Sequence, residues 1–154
     1  SPGEADCIAI AGMGASTIIS ILEDDTEVAQ SAELLVLQPM AGAASLRAWL
    51  CSHGWQLAAE ELVDDAPHFY EIIAAKRGLA PVYSAAECAV GPLLLAQKHP
   101  LLGKQLERQL ATCRQLLENM GRSERARASE KYKEIEALKA ELEVLQNGKR
   151  SDSK

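Results

Sequence analysis

DCIAIAGMGASTIISIL, residues 6–22, is the stretch from which the fold is read. Its first six residues, 6–11, form a short apolar run without helical period, the pattern of a buried strand. Gly12-Met13-Gly14 then breaks the run. Residues 15–22, ASTIISIL, place Ile18, Ile19 and Leu22 on one side of a helix, with Ser16 or Thr17 available to cap its first turn. The unit is strand, glycine turn, helix. Glu23-Asp24-Asp25 follows, acid where a helix C-terminus favours base, so the helix is expected to fray there.

Working outward, residues 32–38, AELLVLQ, make a second buried strand that stops at Pro39, and residues 46–53 make the next helix, ended by Gly54. Continuous apolar strands alternating with helices indicate a parallel α/β sheet. Residues 55–63 and 69–75 have β character and are separated by the turn signal Asp64-Asp65-Ala66-Pro67. Two strands joined that tightly form an antiparallel hairpin. Ser84 with Glu87 three residues on is a capping box that opens another helix, and Gly91-Pro92 and His99-Pro100 are breaks.

Beyond residue 101 the pattern changes. Leu102, Leu106, Leu110, Cys113, Leu117 and Met120 recur at spacings of three and four, residues 121–123 turn, and Tyr132, Ile135, Leu138, Leu142 and Leu145 repeat the seam up to Gly148. Such a pair reads as an antiparallel helical hairpin of coiled-coil type. The expected organisation is therefore a partial α/β domain over 1–97, a hairpin over 98–148, and a disordered tail over 149–154.

The chain has 154 residues, of which 47% are hydrophobic and 25% charged, a globular balance that excludes a wholly disordered chain. No apolar run approaches the roughly 20 residues of a membrane span, so no membrane partner is expected. The net charge of -6 divides unequally: residues 1–97 hold three basic and thirteen acidic residues, and residues 98–154 hold thirteen basic and nine acidic. An acidic body with a basic appendage suggests two surfaces with different partners, or two ordinary solvated faces. Cys7, Cys51, Cys88 and Cys113 have no metal-ligand spacing and read as free thiols of a cytoplasmic protein, Cys7 as a small hydrophobe within its apolar run. His53, His68 and His99 are scattered, and no metal is expected. The chain begins at Ser1, so a processed or partial polypeptide is expected.

Several residues have the chemistry of a site. A glycine turn before a helix lets a ligand approach closely, or serves chain reversal alone. Gln38, at the carboxyl end of a strand where α/β sheets bind ligands, offers a donor and an acceptor to a base edge, or is a solvated strand end. Arg47, Glu60, Tyr70 and Glu71 are polar residues near expected strand and helix ends, and Arg47 could pair with a phosphate or with a neighbouring carboxylate. Lys104, Arg108, Arg114, Arg122, Arg125, Arg127, Lys131 and Lys133 line the hairpin, and three of these arginines flank its tip. They could neutralise phosphates, or form intrahelical pairs such as Glu130 with Lys133 and Glu136 with Lys139. A dinucleotide dehydrogenase is excluded, for want of GxGxxG and a ribose-binding acid.

In order, DCIAIAGMGASTIISIL, LLVLQP, LRAWLCSHGW and EELVDDAPHFYEII resemble the bacterial tRNA (adenine-N1)-methyltransferases of the TrmK type, over about residues 6–102. The resemblance implies the C-terminal half of a Rossmann-like methyltransferase sheet that uses S-adenosylmethionine to methylate N1 of the adenine at position 22 of tRNA. It puts Gly12, Met13, Gly14, Gln38 and Pro39 in the cofactor and target-base pocket. Arg47, Lys104, Arg108, Arg122, Arg125, Arg127 and Lys131 are then candidates for holding tRNA, and no general base is evident. Two departures stand out: Ala15 replaces a family glycine, and the strands that carry the family's acidic cofactor loop are not in the sequence. The strand at residues 7–11 is then expected to be an open edge, and this chain alone to bind cofactor poorly. The competing reading is a non-catalytic RNA-binding or protein-interaction module, built of a half-Rossmann remnant and a helical hairpin.

Overall fold

The structure is a computed structural model that describes residues 6–152. The chain folds as two compact units that divide between Gln97 and Lys98. In the first, β1 (Cys7–Met13) leads into α1 (Ala15–Asp24) and α2 (Thr26–Ser31). β2 (Leu34–Pro39), α3 (Ala43–Ser52), β3 (Trp55–Asp65) and β4 (His68–Arg77) follow, and α4 (Ala85–Val90) and α5 (Pro92–Ala96) close the unit. The strands form one sheet in the order β1-β2-β4-β3, with β1 parallel to β2 and the β3–β4 hairpin antiparallel.

The open edge is real: β1 pairs only with β2 among the described residues, and Cys7 is exposed rather than the buried hydrophobe its apolar context suggested. Helix α1 ends at Asp24, but a further helix, α2, follows where only fraying was expected. Thr26 Oγ1 ties the junction by donating to the Glu23 carbonyl at 2.6 Å. The cap of α1 is Gly14, without a side-chain bond, so neither Ser16 nor Thr17 acts as cap. At α4 the capping box forms: the Glu87 amide donates to Ser84 Oγ at 3.1 Å, and the Ser84 amide donates to Glu87 Oε2 at 2.7 Å.

The core lies on one side of the sheet. Leu35, Leu37, Leu57, Ile73 and Ala75 are buried against Ile18 and Leu22 of α1 and Leu46 and Leu50 of α3. Strand β3 reaches this core only through a phase slip. Trp55 and Leu57 point inward, the register shifts between Leu57 and Ala59, and Glu60 and Leu62 then point inward too. With strict alternation Glu60 would face outward; the extra residue, Ala58, restores it to the core side.

In the second unit α6 (Leu102–Met120), α7 (Glu124–Arg127) and α8 (Glu130–Asp152) form the hairpin. Leu102, Leu106, Leu110 and Cys113 of α6 and Ile135 and Leu142 of α8 are buried. The pairing is antiparallel, since Gly103 at the start of α6 lies against the Lys149 side chain at the end of α8. Helix α8 does not stop at Gly148; it continues to Asp152. Lys149 and Arg150 put positive charge in its last turn, where the helix dipole favours it, and Ser151 Oγ bonds the Asn147 carbonyl at 3.2 Å. Residues 153 and 154 of the expected tail lie outside the described residues. Glu130 pairs with Lys133 as expected, whereas Lys139 pairs with Glu143, one turn after it, and not with Glu136, one turn before it.

Candidate functional site

The parallel pairing of β1 and β2 brings two strand ends together. At the end of β1 the register shifts between Ala11 and Met13, and Gly12 adopts φ +76, a conformation that costs a residue with a side chain. Its amide donates to Gln38 Oε1 at 3.0 Å. The Gln38 amide nitrogen donates to Met40 Sδ at 3.3 Å, Met40 N bonds the Met13 carbonyl at 2.8 Å, and Ala15 N bonds the Ala41 carbonyl at 2.9 Å. Gly12, Met13, Gly14, Gln38 and Pro39 are thus one platform. Gln38 is a brace within it: the carbonyl oxygen that the sequence offered to a base edge is taken by Gly12.

Above this platform there is room. A side chain built at Gly12 or Gly14 would meet nothing within 4 Å. Met13 and Met40, 40% and 55% exposed, stand at the opening as polarizable, apolar groups suited to a flat ring. Met40 went unnoticed in the sequence; its signal was its place next to Pro39 at a strand end. Ala15, in contrast, is buried, and its methyl group sits 3.0 Å from where a Cβ on Gly42 would be. The Ala15 methyl is therefore part of the core and not of the open platform.

Arg47 is not available to tRNA. It is fully buried, with Nε on Glu60, Nη2 on Glu71 at 2.9 Å and Nη1 on the Cys88 carbonyl at 2.8 Å. Burial lowers the pKa of such a guanidinium, but the charges and hydrogen bonds of Glu60 and Glu71 outweigh this and raise it. Glu60 also accepts the Leu93 amide of α5 at 2.9 Å. The cluster ties α3, β3, β4, α4 and α5 together, which explains why a charged residue sits in the core. The other candidates, Lys104, Arg108, Arg122, Arg125, Arg127 and Lys131, are exposed on the second unit. Arg125 and Arg127 lie on the short α7 at the hairpin tip, with Arg122 just before it.

Among the described residues, no group of histidine, cysteine and carboxylate side chains could hold a metal, and no helix is long and apolar enough to cross a membrane. The cysteines are free; burial pushes the Cys51, Cys88 and Cys113 thiols up, which suppresses thiolate chemistry there.

A sequence model of the TrmK family, tRNA (adenine(22)-N(1))-methyltransferase, matches residues 1–147. The chain belongs to this family. It is 29% identical to the tRNA (adenine(22)-N(1))-methyltransferase of Bacillus subtilis strain 168, over 93% of this chain and 61% of that protein. It is similar in structure to a Streptococcus agalactiae protein of the NADB-Rossmann superfamily, with TM-score 0.76, 26% identity, and coverage of 92% of this chain and 60% of that one. A Streptococcus pneumoniae protein, proposed to be a tRNA (m1A22) methyltransferase and solved in complex with S-adenosyl-L-methionine, superposes with TM-score 0.74 at 27% identity, again over 92% and 60%. The fold of the first unit is thus of Rossmann type, and this TrmK-family chain spans about three-fifths of the length of its relatives.

Proposed function

We propose that this chain supplies the target-base side and the RNA-holding hairpin of an S-adenosylmethionine-dependent enzyme that methylates N1 of adenine 22 in tRNA. The observation that supports this best is the open strand-end platform, built by Gly12 and Gln38 and flanked by Met13 and Met40, in a chain of the TrmK family. S-adenosylmethionine, when bound, supplies an electrophilic methyl group on a sulfonium.

The residues present fit one side of that chemistry. The glycine turn leaves space for a planar ring, and the two thioethers offer it apolar, polarizable contact. Neither strand end, residues 11–15 or 38–42, has a carboxylate to hold ribose hydroxyls. The chain's own contribution is therefore to position the base, and positioning accounts for much of the rate of a direct transfer. The exposed cations of the hairpin would hold the tRNA through its phosphates.

The test is methyl transfer from labelled S-adenosylmethionine to unmodified tRNA, with this chain and with a protein of the relatives' full length that contains it. Transfer by the longer protein and none by this chain is expected. Transfer by neither would overturn the catalytic reading and leave RNA binding or protein interaction as the role.

A further inference from the structure

A second site lies at the opposite end of the sheet. Strands β1 and β2 begin there, about 20 Å from the platform at which they end, at roughly 3.3 Å per residue. At this end Leu34 pairs with Lys76 and Trp55 with Arg77. Beside them is a cavity of about 240 Å³ whose lining includes Trp49, His53, Trp55, Arg77, Glu23 and Gln30. The protein has two tryptophans, and both line it.

The walls are organised. Trp49 and His53 are stacked, with ring centres 4.3 Å apart and planes at 14°. The Trp49 indole N–H donates to Glu23 Oε1 at 3.1 Å, which fixes the ring and leaves the second carboxylate oxygen to face solvent or ligand. The Arg77 guanidinium lies 3.7 Å over the Trp55 ring and bonds the Ala29 carbonyl at 3.3 Å. Among the described residues no carboxylate lies within ion-pair distance of Arg77, and desolvation accordingly lowers its pKa. A half-buried guanidinium with spare donors, a carboxylate with a spare acceptor and stacked aromatic rings thus share one cavity.

Size and charge narrow the ligand. The volume falls below the roughly 300–1,000 Å³ of sites for drug-sized molecules, so it suits one ring system rather than a whole nucleotide. The cavity also lies at the C-terminal ends of α1 and α3, whose dipoles disfavour an anion there. With Glu23 balancing Arg77, phosphate is a poor occupant. We propose that this cavity binds the base of a purine nucleoside: an uncharged planar ring that stacks on the aromatic wall, gives N–H groups to Glu23 and accepts from Arg77. Stacking on the rings and hydrogen bonds to the two charged side chains together hold the base.

The tryptophans make the test direct. The intact chain is titrated with guanosine, adenosine and inorganic phosphate, and its two indole N–H resonances are followed by heteronuclear NMR. Saturable shifts of both resonances with at least one nucleoside are expected, with none from phosphate. Glu23→Gln, which keeps an acceptor for Trp49, and Arg77→Gln should each weaken binding about tenfold or more. Glu23 is exposed, so its variant remains informative if Arg77→Gln unfolds. No saturable shift with either nucleoside, equal shifts with phosphate, or unchanged affinity in Glu23→Gln would each overturn the proposal. None of these outcomes depends on methyl transfer, so the site stands or falls apart from the catalytic reading.

Discussion

Arg47 in the first unit and Arg122, Arg125 and Arg127 in the second carry the same guanidinium, yet Arg47 is wholly buried and the other three lie open to solvent. Their surroundings account for the difference. Residues 1–97 carry a surplus of ten negative charges, and two of those carboxylates, Glu60 and Glu71, close around Arg47. Residues 98–154 carry four surplus positive charges, and at the hairpin tip the arginines crowd onto a four-residue helix and its approach. The same side chain is a structural tie in one unit and a displayed charge in the other. Residue type alone therefore does not assign a role; the balance of charge within packing distance does.

The comparison is broken most easily at Arg47. Replacing it with Ala leaves Glu60 buried and without its cation, which should cost about 3–5 kcal/mol. That is a large part of the roughly 5–15 kcal/mol that holds a domain together. Arg47→Lys should recover only part of it, since an ammonium cannot span Glu60, Glu71 and the Cys88 carbonyl as the planar fork does. Thermal or denaturant unfolding of both variants checks this. A stable Arg47→Ala protein with weakened tRNA binding would restore the arginine to the RNA surface.

At the tip the expectation is reversed. Arg122, Arg125 and Arg127 replaced together with Ala should leave the unfolding midpoint nearly unchanged. They should weaken tRNA binding and flatten its salt dependence by about one unit of slope for each phosphate no longer neutralised. Binding measured across a salt series decides it; an unchanged slope would remove the tip from the RNA interface.

The smallest effect concerns the hairpin alone. Gly148 lies within α8, and a methyl group there would meet nothing within 4 Å. Gly148→Ala should therefore stabilise the second unit by about 1 kcal/mol, seen as a higher midpoint for helix loss by circular dichroism. A lower midpoint would mean that the glycine is needed for more than continuation of the helix.

Much of this architecture was legible because local chemistry and burial agree. The strand–glycine–helix unit, the hairpin around Asp64–Pro67, the capping box of Ser84 and Glu87 and the leucine seam all announce themselves by spacing. Where they disagree, the sequence misleads. Helix α2 hides in DDTEVAQS, where acidic and polar residues outnumber the apolar ones; Ala29 is its only buried residue. Gly148 reads as a helix stop, yet nothing forces it into a left-handed turn, and the basic residues behind it carry the helix on. The site was half visible. Gly12 and Gln38 were found from their places at strand ends, but their hydrogen bond to one another needs the parallel register. Arg47 was weighed between phosphate and carboxylate, and only the fold brings Glu60 and Glu71, distant in sequence, to it.

Ala58, whose own side chain is exposed, is the one residue of β3 that has no counterpart on β4. Substitution there should be nearly silent, and so should its removal as far as facing is concerned. Without it Leu57, Ala59, Glu60, Glu61 and Leu62 would alternate without a slip, and Glu60 would still turn toward Arg47. Loss of any one residue from 59 to 61 would instead leave the slip in place and shift the chain beyond it by one pair. In aligning this chain with its relatives, a gap opposite Ala58 therefore leaves the inside and outside of β3 as they are.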